Sequence, residues 1–150
     1  MTARDSNRGG CCQSCRWDYD LLTVDQNGEL DVYYDEKGQA TPFAMSPRDL
    51  KLIESIPNMM DLGIDSLKIE GRMKSIHYIA TVVSVYRKVI DAYAEDPENF
   101  KIKPEWLFEL DKCANRDTAP AFFKGTPGYE EQMFGNESSK KAPFDFVGLV

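Results

Sequence analysis

Between residues 43 and 93 the sequence switches between two hydrophobic rhythms, and this alternation restricts the fold more than any other feature. Phe43-Ala44-Met45 reads as a short apolar strand. Ser46, Pro47 and Asp49 form the pattern of a helix start: an N-cap hydroxyl, proline at the first helical position and an acid in the first turn. Leu50, Ile53 and Ile56 would line that helix's buried face, Pro57 would kink or restart it, and Gly63 would end it. Ile64 to Gly71 follows as a second strand. From about Lys74 to Tyr93, Ile76, Ile79, Ala80, Val83, Tyr86, Ile90 and Tyr93 recur at steps of three and four and predict one long helix with one apolar face. Asp96-Pro97 stops it. Strand–helix–strand–helix is the arithmetic of a parallel α/β sheet or barrel. Two such units cannot close a barrel, and the chain stops inside an apolar stretch, Phe144 to Val150. The expectation is a piece of a longer α/β protein.

The flanking sequence reads differently. Residues 1–16 are a polar loop with clustered cysteines. Residues 17–41 predict a β-hairpin: a strand at Leu21 to Val24, a type I′ turn at Asn27-Gly28, where both positions need φ > 0, and a return strand from Leu30 to Tyr34. Residues 42–100 carry the β/α units. Residues 101–143 hold a short helix, Trp106 to Ala114, entered through Pro104, and then a linker rich in Gly, Pro, Ser and Asn. Residues 144–150 read as the first strand of a further domain.

No apolar run approaches the length needed to cross a membrane, and the first residues lack the apolar core of a secretory signal. A cytoplasmic location follows as the expectation, with the four cysteines reduced. The formal net charge of −7 opposes bulk binding of nucleic acid, so any such contact would be local. Arg4, Arg8 and Arg16 crowd the cysteine loop, and Arg72 and Lys74 form a second basic cluster.

Cys12-x2-Cys15, with Cys11 adjacent, has metal-ligand spacing, because two intervening residues let both thiolates reach one metal from a tight turn. Nearby arginines would offset the charge of a thiolate site. Cys113, on the late helix, reads as a buried small residue. Lys68, Glu70 and Arg72 stand at the carboxyl end of the predicted second strand, the end where catalytic groups gather in barrel and doubly wound folds. Alternation puts Lys68 and Glu70 on one side of the strand, pointing into the barrel as buried charge that must be paired, with Leu67 and Ile69 facing the helices. The pair could be structural, could position an anionic substrate, or could act as acid and base. His77 lies one turn into the next helix. No His-Glu-x-x-His, Gly-x-Ser-x-Gly or phosphate-binding glycine loop is present.

Taken together, Arg4-Asp5-Ser6-Asn7-Arg8-Gly9-Gly10-Cys11, Ser14-Cys15-Arg16-Trp17, Ser46-Pro47-Arg48-Asp49-Leu50 and Ile64 through Ser75 resemble the peptidase U32, or collagenase-like peptidase, family; Asn115-Arg116 and the loop to Phe123 also fit. The similarity is greatest to its tRNA-hydroxylation branch. The resemblance implies the last β/α units of a TIM-like barrel with a β-hairpin insertion, leading into a truncated small β domain. It implies a 4Fe-4S iron–sulfur cluster, incomplete in this chain, and oxygen-independent formation of 5-hydroxyuridine at the tRNA wobble position, with prephenate as a required metabolite. Cys11 and Cys15 carry over as cluster ligands and Cys12 is a candidate substitute. An upstream cluster cysteine of the family would lie before Met1, and Lys51 stands where the family often has cysteine. Lys68, Glu70 and Arg72 become the expected catalytic groups, and Arg16, Lys74 and His77 the expected substrate contacts. The expected partner is tRNA, with homo- or hetero-oligomer contacts open and no membrane association. The family's older name implies a collagenase-like protease instead. A partial barrel with exposed sheet edges could also be inactive alone.

Overall fold

The computed structural model describes residues 5, 8, 10–34, 38, 45–72, 74–114 and 116–128. The predicted strand at 144–150 lies outside these residues, as do Phe43 and Ala44. The chain divides into two units: residues 1–50 with 116–140, and residues 51–115 with 141–150.

In the first unit, β1 (Leu22–Val24) and β2 (Leu30–Val32) form an antiparallel hairpin with Leu22 opposite Val32 and Val24 opposite Leu30. The predicted type I′ turn is replaced. Gly28 has φ +84°, but Asn27 is not left-handed. The Asp25 carboxylate accepts the amides of Asn27 and Glu29, both at 2.8 Å, and the Gly28 amide closes onto the Asp25 carbonyl at 3.1 Å. That network holds Asn27 right-handed and makes a three-residue loop with a glycine bulge.

Two further short strands, β3 (Asp49–Leu50) and β4 (Thr118–Ala119), pair in parallel, Asp49 with Thr118 and Leu50 with Ala119. This overturns the predicted helix start at Ser46. Ser46 is fully buried rather than capping, and Asp49 belongs to a ladder. The local cap signature is outweighed by a pairing with residues almost seventy positions away, in the stretch read as linker, which also carries a 3-10 turn at Ala121–Lys124.

The second unit is helical. A 3-10 turn, Ile53–Ser55, leads into α1 (Ile56–Asp61), with Pro57 in its first turn, where a missing N–H costs nothing. Gly63, at φ +74°, ends it as predicted. Its amide bonds to Met60 O and that of Ile64 to Met59 O, both at 3.0 Å, which is the Schellman pairing. Helix α2 (Ile76–Glu95) starts two residues after the expected point, with Ser75 Oγ accepting the Tyr78 amide at 3.1 Å. Helix α3 (Pro104–Cys113) begins at the predicted proline.

The core unites Ile53, Ile56, Met59, Val82, Val85, Val89, Trp106, Leu110 and Cys113. The buried stripe of α2 is therefore Val82, Val85 and Val89. The predicted stripe lies to one side, with Ile76, Ile79 and Val83 exposed and Tyr86 and Ile90 half-buried. Valine and isoleucine occupy so much of this helix's circumference that two apolar faces fit the same spacing. Leu52 N–H donates to Tyr86 Oη at 3.1 Å, and Tyr93 Oη donates to Asp61 Oδ1 at 2.7 Å, tying α2 to the segment around α1.

Ile64 to Gly71 is not a strand here. Among the described residues no ladder partner runs beside it, and a parallel strand exists only through its neighbours. Its alternation survives, in that Leu67 and Ile69 line an apolar cleft of about 370 Å³ with Met59, Val83 and Ile90, but Lys68 and Glu70 are largely exposed rather than buried inward, since no sheet lies against this segment among the described residues. No helix among the described residues is long and apolar enough to cross a membrane.

Candidate functional site

The candidate residues fall into two groups, one in each unit. The first is the cysteine loop. Gln13, at φ +54°, adopts the left-handed conformation and leads into a 3-10 turn, Ser14–Arg16. A left-handed non-glycine residue is uncommon and has to be held by its surroundings. Here the loop is bonded at several points. The Gln13 amide donates to Cys11 Sγ at 3.3 Å, and the Arg16 amide to Gln13 O at 2.8 Å. Two aromatic side chains brace it: Trp17 Nε1 donates to Cys12 O at 3.2 Å and Tyr19 Oη to Ser14 O at 2.8 Å.

Cys11 and Cys15 are exposed and Cys12 is half-buried, all as free thiols. Three soft donors within five residues suit zinc or iron–sulfur chemistry. The amide aimed at Cys11 Sγ is the kind of hydrogen bond that tunes a thiolate-bound cluster. Among the described residues, no three His, Cys, Asp or Glu side chains gather closely enough to hold a metal ion. Cys113 is a core residue, as expected: its thiol donates to Leu110 O at 3.2 Å, and burial pushes its pKa up.

A residue that sequence reasoning did not single out joins this group. Arg116, 5% exposed, donates from Nη1 to Pro47 O at 3.1 Å and stands 3.7 Å from Asp49 Oδ1. Burial pulls its pKa down, as does the positive charge of Arg16, while Asp49 and Cys15 oppose the shift. Arg116 therefore sits within electrostatic reach of the cysteine loop. Its only sequence signal was the Asn115-Arg116 pair in an otherwise featureless stretch.

The second group follows the α1 turn. Lys68 Nζ meets Glu70 Oε1 at 2.8 Å, with both side chains largely exposed. Hydrogen bonding to Glu70, and then its charge, raise the Lys68 pKa; hydrogen bonding to Lys68 and its charge lower that of Glu70, with a smaller contribution from Arg72. A proton donor raised above its ordinary value and an acceptor lowered below its own are both poorer acid–base catalysts at neutral pH. The pair is better suited to holding a polar or anionic group. Arg72 is exposed within the field of Glu70. The Lys74 ammonium lies 5.0 Å from the Tyr78 ring centre, a cation–π contact. His77, exposed in the first turn of α2, acts electrostatically on Glu109 of α3, whose pKa is lowered chiefly by its bond to Lys112. Lys68, Glu70 and Arg72 are thus brought together, whereas Lys74 and His77 have other neighbours.

A peptide segment with this cysteine loop and a following Lys-Ile-Glu-Gly-Arg block is matched by known sequences. The sequence model of peptidase family U32 matches residues 1–133. The chain is 75% identical, over its whole length, to a protein of Bacillus subtilis named tRNA hydroxylation protein P1, of which it covers 35%. It is 34% identical over 80% of its length to a Porphyromonas gingivalis protein named collagenase, covering 27% of it. It is 34% identical over 64% of its length to the Escherichia coli 23S rRNA 5-hydroxycytidine C2501 synthase, covering 13% of it. No solved structure matches the chain. The chain belongs to peptidase family U32. It spans about a third or less of the length of these relatives.

Proposed function

We propose that the protein is an RNA-modifying enzyme of the U32 family, an iron–sulfur-dependent tRNA hydroxylase that forms 5-hydroxyuridine at the wobble position. The observation that carries this reading is the 75% identity, without a gap in coverage of this chain, to a relative named for tRNA hydroxylation. The relative named as an rRNA 5-hydroxycytidine synthase adds a second pyrimidine hydroxylation within the same family. Prephenate is the metabolite the reading adds to tRNA.

Cys11 and Cys15 would hold the cluster, with Cys12 as the nearest substitute. The remainder of the ligand set belongs to sequence outside these residues. When bound, such a cluster supplies one-electron chemistry. The chain's own residues orient the substrate. Arg16 beside Cys15 in one unit, and separately Arg72 and Lys74 in the other, are local positive charges suited to RNA phosphate despite the net charge of −7. Lys68 and Glu70 hold a polar group of the base or of a small anionic co-substrate.

The fold belonging to this reading is the late part of a TIM-like barrel. It is supported by the parallel β3–β4 pair and by the apolar side of α2, Ile76, Ile79 and Val83, which remains exposed as a sheet-facing surface would be when its sheet lies elsewhere in the protein.

Anaerobic reconstitution of the full-length protein, beside its Cys11→Ala and Cys15→Ala variants, tests the cluster assignment. Both variants should lose bound iron and the modified uridine; equal iron in all three removes the assignment. The peptidase reading keeps one specific support, the 34% identity to a protein named collagenase. Cleavage of denatured collagen by iron-free protein, with no change in tRNA, would favour it.

A further inference from the structure

The guanidinium of Arg116 has two edges that can each grip a two-oxygen anion, and the structure uses only one end. Nη1 is committed to Pro47 O at 3.1 Å and lies 3.7 Å from Asp49 Oδ1. Nε and Nη2 are buried and have no hydrogen-bond partner among the described residues. In a planar guanidinium the Nε–H and one Nη2–H point the same way, so these two unpartnered donors form the side-on fork that matches the two oxygens of a carboxylate. The fork is held rigidly, since Arg116 is 5% exposed and adjoins β4, which pairs with β3.

Leaving two buried donors of a charged group unpaired is costly, more so than for a neutral group. Proteins keep such an arrangement where a ligand completes it. A second orphan precedes the anchor in sequence: Ser46 Oγ is buried and has no partner among the described residues, one residue before the proline that holds Nη1.

We propose that the side-on edge of Arg116 is a binding site for the carboxylate of a small molecule, held next to the cysteine loop. Burial favours a small ligand over a polymer backbone, because only one end of a compact anion can reach a group this covered. Geometry favours a carboxylate over phosphate: its two oxygens lie in one plane, as the two donors of the fork do, whereas phosphate oxygens are tetrahedrally disposed. The site stands whether or not the cluster assignment holds, and it makes Arg116 a binding residue for a co-substrate that arrives beside Cys15.

The test uses the full-length protein labelled with nitrogen-15, titrated with malonate, with inorganic phosphate, or with chloride, at matched ionic strength. The Arg116 Nε–H resonance should shift on malonate addition and saturate, and phosphate should act more weakly. Arg116→Lys keeps the charge but not the fork, and should weaken malonate binding by about tenfold or more. Ser46→Ala should weaken it by a smaller factor. If Arg116→Lys does not fold, the wild-type resonance still reports. No saturable shift with malonate, an equal or stronger response to phosphate or chloride, or unchanged binding in a folded Arg116→Lys would overturn the proposal.

Discussion

The indole N–H of Trp17 donates to the carbonyl oxygen of Cys12 at 3.2 Å, so the residue that follows the cysteine loop also pins its centre. Trp17→Phe keeps most of the ring and removes this bond. A single net hydrogen bond is worth about 1 kcal/mol, or about a fivefold change in local opening. Hydrogen exchange at the Gln13 and Arg16 amides should accelerate by about that factor, and reconstituted full-length protein should retain less iron than wild type. Unchanged exchange would mean that Tyr19, through Ser14 O, holds the loop alone.

The Lys68–Glu70 pair separates a structural from a functional role. Both side chains are largely exposed, so the pair contributes little to folding. Lys68→Met and Glu70→Gln should leave the melting temperature of the chain unchanged. In the full-length protein each should lower modified-uridine formation by about tenfold or more, the scale of a lost contact to a charged group. A fall in melting temperature with undiminished product would make the pair structural.

Tyr86 links stability to alkaline pH. Burial raises its phenol above the ordinary value of 10.0, and Tyr93 is raised as well, chiefly because its hydroxyl is bonded to Asp61. A group whose folded pKa exceeds its unfolded pKa stabilises fully below the unfolded value, and that stability is lost as pH rises through the folded one. Urea unfolding should show stability falling above pH 10, with a shallower fall in Tyr86→Phe. The same variant leaves the Leu52 amide without its acceptor and should cost about 1–3 kcal/mol at neutral pH. An identical alkaline slope in variant and wild type would assign the pH dependence to other groups.

Asp25 works in the opposite direction. Bonds from the Glu29 and Asn27 amides hold its carboxyl below the ordinary 3.8, the Glu29 bond contributing most. The hairpin gains stability above that value and loses it as pH falls through the lower folded pKa. Amide protection at Asn27 and Glu29 should therefore fall in acid below about pH 4, and Asp25→Ala should show the weakened protection already at neutral pH. Protection unchanged in Asp25→Ala would assign the turn to Gly28 alone.

Local signals were legible where the structure depends on neighbours in sequence. Pro104, Asp96 and Gly63 mark helix ends that the structure has, because capping is decided within one turn. The hairpin was legible from Asn27-Gly28, but its turn type was not, since the deciding group is the Asp25 carboxylate two residues earlier. The false helix start at Ser46 arose because the β3–β4 pairing depends on Thr118 and Ala119, in a stretch with no periodicity of its own. The buried face of α2 was misplaced because apolar residues occupy two faces. In the candidate site, the cysteines and the Lys-Ile-Glu-Gly-Arg block were visible by residue type and spacing. Arg116 was not weighed as a site residue, because its role comes from burial against Pro47, which only the folded chain reveals.

The contrast between Ile56 and Ile76 tests whether α2 completes its packing elsewhere in the protein. Ile56 is fully buried, whereas Ile76 is 88% exposed. In the 150-residue chain, Ile56→Ala should cost about 2–5 kcal/mol by transfer and cavity formation. Ile76→Ala in the same chain should fall within about 0.5 kcal/mol of neutral, as surface substitutions do. If the exposed stripe of α2 packs on a barrel sheet in the full-length protein, Ile76 is buried there, and its replacement by alanine should cost more than about 1 kcal/mol. Urea unfolding of both proteins measures the difference. A neutral Ile76→Ala in the full-length protein would leave that side of α2 facing solvent and would remove the barrel proposal's support from this helix.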